Sequence, residues 1–327
     1  MSGDTFSHAE IDGYLSRIRQ QAAVLLRTTN QTDLGMPGCW FGGEPSLPAD
    51  IEWPVYNCPW PKVVIPMHFI FQINLRYVPK SLGFPDYPDT GILFVFVEPI
   101  LASEDESSPI SPLLTGQCAR VIYIPEDVSR CRPRKAPPLP DLDEEHPPAG
   151  TIREAIQYED YLYMRETYGV TTATGLHRWP MNFVVVDTYP EHDIIKMQNP
   201  SQDVTTYESK ELRYKTDALN EKVLDECSFY QLDREKENGD LRYLKVPHWM
   251  FGSPRSHQFP SKEAIKNADA DGECPRLTEQ HIVLFRLLSD DPNIGYSYRN
   301  LNNLVFWINK QDLAFGNFDN ILIGEEF

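Results

Sequence analysis

Short apolar runs separated by stretches rich in proline and glycine recur along the 327 residues of this chain. Runs of this length that are rich in aromatic and β-branched residues, and bounded by Pro or Gly, are typical of buried β-strands. The pattern predicts strands at residues 69–75, 92–97, 119–124, 182–187, 282–288 and 304–308.

Other segments place their apolar residues three or four positions apart, which is the spacing of one helix face. Residues 8–28 overlap a capping box formed by Ser7 and Glu10, so they are predicted to form an amphipathic helix. Further helices are predicted after a second capping box at 151–154, within 206–228 and at 261–267. Strands and helices together predict an α+β fold of mostly antiparallel β-sheets with peripheral helices.

A motif at the start of the strand-rich region returns much later in the chain. W-x-x-G-x-P is found at residues 40–45 and again at residues 249–254, and an apolar run follows each copy. One long polar side chain interrupts each run, Gln72 in the first and Arg286 in the second. These parallels predict an internal repeat.

The expected domain organisation follows from this repeat. A single domain at residues 35–323 would contain two related halves, near residues 39–128 and 180–323, with residues 1–34 as an N-terminal helix packed on the body. Residues 129–150 contain many prolines and an acidic run, so they are predicted to be an inserted, solvated linker or long loop.

The polar residues inside the two apolar runs need hydrogen-bonding partners if they are buried. A buried amide or guanidinium without partners costs roughly 1–3 kcal/mol or more. Gln72 and Arg286 therefore either brace neighbouring loops or, together with His248, line a polar cleft shared by the two halves. The residue pattern leaves both alternatives open.

An excess of acidic residues restricts the partners of this chain. The 48 Asp and Glu against 30 Lys and Arg give a formal net charge of −18, which argues against binding to nucleic acid or to anionic membranes. The same charge favours a basic partner, because complementary potentials speed association. Two acidic clusters are either solvated loops or the surfaces that contact such a partner, namely Glu104, Asp105, Glu106, Asp141, Asp143, Glu144 and Glu145.

Cysteine usage and the N-terminus predict a cytoplasmic protein. The six cysteines are scattered without a C-x-x-C pair, which differs from a disulfide framework or a zinc ribbon. The first residues lack the basic-then-apolar plan of a signal peptide. No apolar run reaches the roughly 18 residues that a membrane-spanning helix needs.

Motifs for ligands and catalysis are weak. Asp269 and Asp271 resemble the start of a calcium-binding loop, but Thr278 stands where the bidentate Glu is required, so an acidic surface turn is expected. His248 and His257 flank the second W-x-x-G-x-P copy without a metal-binding spacing, and a structural role is expected for both. Because nucleophile-elbow, P-loop and dinucleotide motifs are missing, no catalytic residue, metal or cofactor is predicted.

Several motifs, in the same order, resemble the YwqG-like family, which is described mainly as a domain of unknown function. The matching segments are G-G-E-P-S-L-P (42–48), W-P (53–54), F-Q-I-N-L (71–75), P-D-T-G-I-L-F (88–94), H-W-M-F-G-S-P (248–254), L-V-F-W-I-N-K-Q-D-L (304–313) and F-D-N-I (318–321). Residues 286–291 and 295–298 depart from the family's Q-I-D-S-D and W-G-D runs, so no polar site carries over from that segment.

The resemblance implies an α+β fold with mostly antiparallel sheet, and it implies no reaction. Members often lie beside secreted toxins of interbacterial competition, which implies an immunity protein that binds and neutralises a cognate toxin in the cytoplasm. The expected function is thus a non-enzymatic acidic binding protein whose partner is a basic toxin domain. The alternatives are a small-ligand-binding protein or hydrolase with a polar cleft between the halves, and a structural subunit of a larger assembly.

Overall fold

The computed structural model describes residues 12–13, 15–17, 19–27, 38–57, 64–80, 87–97, 119–125, 128–140, 171–174, 178–188, 215, 218, 248–250, 280–288, 290–291, 296–297 and 303–326. The helices predicted to begin at residues 151 and 261 lie outside this part of the chain. Within the helix predicted at 206–228, the structure describes Lys215 and Ala218, and both are helical.

The described chain is mostly antiparallel β-sheet with few helices. Its strands are β1 (Gln20–Arg27), β2 (Trp40–Phe41), β3 (Val55–Asn57), β4 (Val64–Pro66), β5 (His68–Asn74), β6 (Ile92–Val97), β7 (Ala119–Ile124), β8 (Trp179–Thr188), β9 (His248–Met250), β10 (His281–Leu288), β11 (Asp290–Asp291), β12 (Tyr296–Ser297), β13 (Asn303–Asn309) and β14 (Leu322–Glu326). Helix α1 (Lys310–Ala314) follows β13, and 3-10 helices lie at Leu75–Tyr77 and Val128–Arg130. None of the helices within the described ranges is long and apolar enough to cross a membrane.

Ten of the strands form one sheet in the order β14-β13-β10-β9-β1-β8-β2-β5-β6-β7. Neighbouring strands pair antiparallel throughout this sheet. The other four strands form two-stranded sheets, β3 with β4 and β11 with β12. We call β2, β5, β6 and β7 the β5 arm, and β9, β10, β13 and β14 the β10 arm; β1 and β8 pair with each other between the two arms.

The six strands predicted from apolar runs are confirmed, with small differences in their bounds. Two of these strands, β5 and β6, are covered on both faces, whereas β7 has an exposed Arg120 and β8 an exposed Asn182. Every residue of β5 and of β6 is buried, including the polar residues of β5. Such strands lack the polar–apolar alternation of a sheet with one solvated face.

The helix predicted over residues 8–28 is wrong over its C-terminal part. Helical residues are found between Asp12 and Arg17, but β1 occupies the chain from Gln20 onward. β8 and β9 pair with its two edges, and its residues 22–25 are fully buried. A short run that is apolar throughout fits a buried helix and a buried strand equally well, and here strand pairing decided between them.

The strand registers place Gln72 and Arg286 in matching positions. Trp40 in β2 pairs with Gln72 in β5, and Trp249 in β9 pairs with Arg286 in β10. In both β5 and β10 the register shifts just before this polar residue, as it does at a β-bulge. The two arms therefore repeat the pairing of a tryptophan with a polar residue beside a bulge.

The ten-stranded sheet folds back on itself, so that its two arms pack face to face. Phe71 of β5 contacts Phe285 of β10, and a single hydrophobic core contains residues of both arms. The ends of the sheet also approach each other, because the ring of Tyr123 in β7 lies 5.3 Å from that of Phe318, shortly before β14. Part of the core thus lies between the arms.

Residues 131–140, which the sequence predicts to be part of a solvated linker or long loop, are attached to the body of the protein at several points. Cys131 and Leu139 are buried. A β-bridge and two backbone hydrogen bonds join residues 137–139 to residues 171–173. Arg132, Pro133, Lys135 and Pro138 are exposed in the same stretch, so this part of the predicted loop is only partly solvated. Backbone pairing, which composition does not reveal, joins it to the body.

Candidate functional site

Residues 40–48 begin with β2 and turn sharply after it. We call them the Trp40 corner. Gly42 and Gly43 have φ values of 59° and 62°, in the left-handed region that favours glycine. A Cβ built on Gly43 would lie 2.6 Å from the Cβ of Arg178, so close packing also requires glycine there. The corner therefore cannot form with a side chain at this position.

Gln72 fastens the Trp40 corner to the sheet. Its side chain is fully buried, and its Oε1 accepts a hydrogen bond from the Ser46 N–H at 2.8 Å. Its Nε2 donates to the carbonyl oxygen of Gly38 at 3.1 Å. Both ends of the amide thus hold backbone on either side of β2, and Gln72 braces the neighbouring loops.

The segment that leads into β8 covers the Trp40 corner. The guanidinium of Arg178 lies 3.8 Å from the ring centroid of Trp40, which is cation–π geometry. The hydroxyl of Thr174 donates a hydrogen bond to the carbonyl oxygen of Gly43. From residues 131–140, the N–H of Arg134 donates to the carbonyl oxygen of Pro45 at 2.9 Å. These contacts hold the corner rigid.

Two buried titratable side chains lie directly before β2 and at the start of β5. Burial raises the pKa of the Cys39 thiol to about 12, although the N–H of Asn74, 3.3 Å from Sγ, acts in the opposite direction. Burial also lowers the pKa of His68 to about 4. At neutral pH the thiol keeps its proton and the imidazole is uncharged, so Cys39 is not an activated nucleophile and His68 is not a cationic group.

The polar residues of the two arms do not meet between them. Side chains alternate along a strand, so Gln72 points to the opposite face from Phe71, and Arg286 to the opposite face from Phe285. Because Phe71 and Phe285 contact each other between the arms, Gln72 and Arg286 are directed away from that space. For His248 the structure gives only its place in β9, and its role in a cleft stays a prediction.

The other candidate residues lie outside the described part of the chain. They are the acidic residues Glu104, Asp105, Glu106, Asp141, Asp143, Glu144 and Glu145, the loop of Asp269 and Asp271, and His257. Within the described ranges, no three His, Cys, Asp or Glu side chains lie close enough together to hold a metal ion. The proposed partner-binding role of the acidic residues stays a prediction.

Sequence reasoning overlooked one surface residue, Phe315. It follows α1 and has 86% of its surface exposed, more than any other large hydrophobic residue within the described ranges. An aromatic residue in an apolar-rich segment is expected to be buried. The glycine after it predicts a turn, but only the fold reveals that the turn directs the ring outward.

Comparison with curated proteins finds no match for this chain. The sequence model of one family, a domain of unknown function called DUF1963, matches residues 40–325. The match begins at the Trp40 corner and extends into β14, so it includes both arms of the folded sheet. Since it spans most of the chain, the protein belongs to the DUF1963 family.

Proposed function

We propose that this chain is a non-enzymatic, acidic binding protein of the cytoplasm, and specifically an immunity protein that binds and neutralises a cognate secreted bacterial toxin. The observation that carries the proposal is the contact of Phe71 with Phe285, which fills the space between the arms with apolar rings. Gln72 and Arg286 are directed away from that space, so the outer surface is left to meet a partner.

The charge of the chain supports a basic partner. With a formal net charge of −18, the protein attracts a positively charged toxin domain over a distance and repels anionic surfaces. The acidic clusters near residues 104–106 and 141–145 would supply part of this attraction. Such steering raises the association rate and is weakened by salt.

The proposal also includes membership of the YwqG-like family and an internal repeat of two related halves. The order of the motifs, from G-G-E-P-S-L-P at residues 42–48 to F-D-N-I at residues 318–321, supports a YwqG-like protein. The matching pairs Trp40–Gln72 and Trp249–Arg286 support two related halves. The resemblance implies that members of that family often lie beside genes of secreted toxins, which would link this chain to interbacterial competition.

Binding to purified, inactivated basic toxin domains from genes that neighbour this one tests the proposal, and the absence of any such gene would contradict it. We expect a complex on a sizing column, a saturable signal in calorimetry, and loss of the toxin's activity when the chain is added. Replacing the acids of residues 141–145 by their amides should slow association, most strongly at low salt. If no adjacent toxin domain forms a complex, the immunity role is wrong.

A further inference from the structure

We propose that Phe315 is the aromatic anchor with which this protein docks onto its basic partner, an inference that rests on the proposed function. The partner would offer an apolar pocket for the ring, surrounded by Lys or Arg side chains. Aromatic residues are enriched among the few side chains that dominate binding energy at protein interfaces. The exposure, support and charge of the turn that carries Phe315 favour this role.

Exposure separates Phe315 from the rest of the described surface. Its side chain is 86% exposed, whereas Val64, the next most exposed large hydrophobic residue there, is 56% exposed. Because the ring is exposed, most of its apolar area is available for burial by a partner. Burial of apolar area is the main favourable term in association.

Hydrogen bonds within the turn hold its backbone in one conformation. The N–H of Phe315 donates to the carbonyl oxygen of Gln311 at 3.1 Å, and the N–H of Gly316 donates to that of Leu313 at 3.0 Å. The Asp312 carboxylate accepts from the side-chain amide of Asn317 at 3.0 Å. A ring on such a fixed turn loses little backbone freedom when it binds.

The turn is also attached to the other end of the sheet. The rings of Phe318 and Tyr123 lie 5.3 Å apart, and Phe318 is buried. Gly316 has φ +66°, and a Cβ built on it would lie 3.2 Å from the Tyr123 ring. Contact with β7 therefore fixes the position of the turn from which the Phe315 ring projects into solvent.

Charge around the ring indicates which partner fits. Residues 310–321 carry two carboxylates, Asp312 and Asp319, against the single ammonium of Lys310, and Asp319 is exposed. A second copy of this chain would bring another net charge of −18 to the same place, and repulsion opposes that pairing. A basic surface complements the turn.

The test compares variants in binding to the purified, inactivated toxin domain encoded beside the gene. Phe315→Ser should raise Kd by about tenfold or more with unchanged thermal stability. Val64→Ser, which removes exposed apolar surface from the β3–β4 hairpin, should change Kd less than about twofold. Asn317→Ala, which loosens the turn but keeps the ring, should weaken binding by an intermediate factor.

Each result decides between the two proposals. Unchanged affinity of Phe315→Ser, with wild-type binding intact, would disprove the anchor and leave the immunity role standing. Self-association of the wild type that Phe315→Ser abolishes would assign the ring to a second copy and overturn the inference. Failure of the wild type to bind any adjacent toxin domain would overturn both.

Discussion

The ring of Phe71 in β5 lies 5.0 Å from the ring of Phe285 in β10, centroid to centroid, and their planes meet at 86°. These strands are five places apart in the order of the sheet, which in a flat sheet would separate them by about 24 Å. The edge-to-face contact is therefore possible only because the sheet folds over. Its rings hold the two arms together.

Replacing these two rings should reveal direct coupling between the arms. Phe71→Leu and Phe285→Leu should each lower the free energy of unfolding by about 1–3 kcal/mol. The double variant should lose about 0.5–1.5 kcal/mol less than the sum of the two single losses, since either substitution already removes the ring contact. Urea unfolding of the four proteins measures this difference.

A matched pair provides the control. Phe71→Leu combined with Phe315→Leu should show additive effects, because Phe315 lies on the exposed turn after α1. Additive losses for Phe71 and Phe285 as well would mean that the contact contributes nothing beyond the burial of each ring.

Gln72 should matter for stability and not directly for partner binding. Gln72→Leu removes the hydrogen bonds to the buried Ser46 N–H and to the half-buried Gly38 carbonyl, and leaves both backbone groups without the side chain that pairs with them. The free energy of unfolding should fall by about 2–4 kcal/mol. Thermal or urea unfolding measures the loss, and Gln21→Leu, at an exposed position of β1, is the control expected to be nearly neutral.

A different result would reassign this residue. Suppose that Gln72→Leu unfolds like the wild type but no longer binds the toxin domain. The Gln72 amide of the wild type would then contact the partner, and bracing of the loops would not explain the role of this residue.

Buried His68 should make the protein less stable in mild acid. Its pKa is about 4 in the folded state, against 6.5 for an ordinary histidine, because burial penalises the charged form. Between these pH values the unfolded chain binds a proton that the folded chain does not, so stability falls as pH drops from 6.5 to 4. The His68 contribution to this fall is about 3 kcal/mol, and above pH 6.5 it is absent.

Unfolding curves of the wild type and His68→Leu between pH 4 and 8 isolate this effect. The difference in free energy of unfolding between them should be constant above pH 6.5 and should shift in favour of the variant below it. A difference that is the same at all these pH values would mean that His68 titrates normally in the folded state.

Residues 141–170 should be removable without loss of the fold. The chain on either side is joined by the N–H of Leu139, which donates to the carbonyl oxygen of Thr171 at 3.0 Å, and by that of Ala173, which donates to Pro137 at 2.9 Å. A short Gly-Ser linker should therefore replace residues 141–170 with a melting temperature within a few degrees, since a shorter connection between two ends that are already joined adds no closure entropy.

Circular dichroism and thermal melting check this expectation. Replacing residues 131–140 by a Gly-Ser linker is the contrasting variant and should be strongly destabilised, because Cys131 and Leu139 are buried. Aggregation or unfolding of the 141–170 deletion would show that this segment contributes to the core.

Local sequence patterns predicted the secondary structure correctly where a residue's surroundings depend on its near neighbours in the chain. The apolar runs predicted β5, β6, β7, β8, β10 and β13, and in β5 and β6 these runs reflect burial on both faces. The same reasoning wrongly predicted a helix at β1, because a short run that is apolar throughout fits a buried helix and a buried strand equally well.

The amino-acid sequence by itself determined the six strands that contain apolar runs and the net charge of the chain. Only the tertiary structure decided which strands pair, that Gln72 faces away from the space between the arms, and that Phe315 stands exposed. These outcomes depend on contacts between residues far apart in the chain, such as Phe71 with Phe285. Their free energy arises from the packing of the whole sheet, which no local pattern encodes.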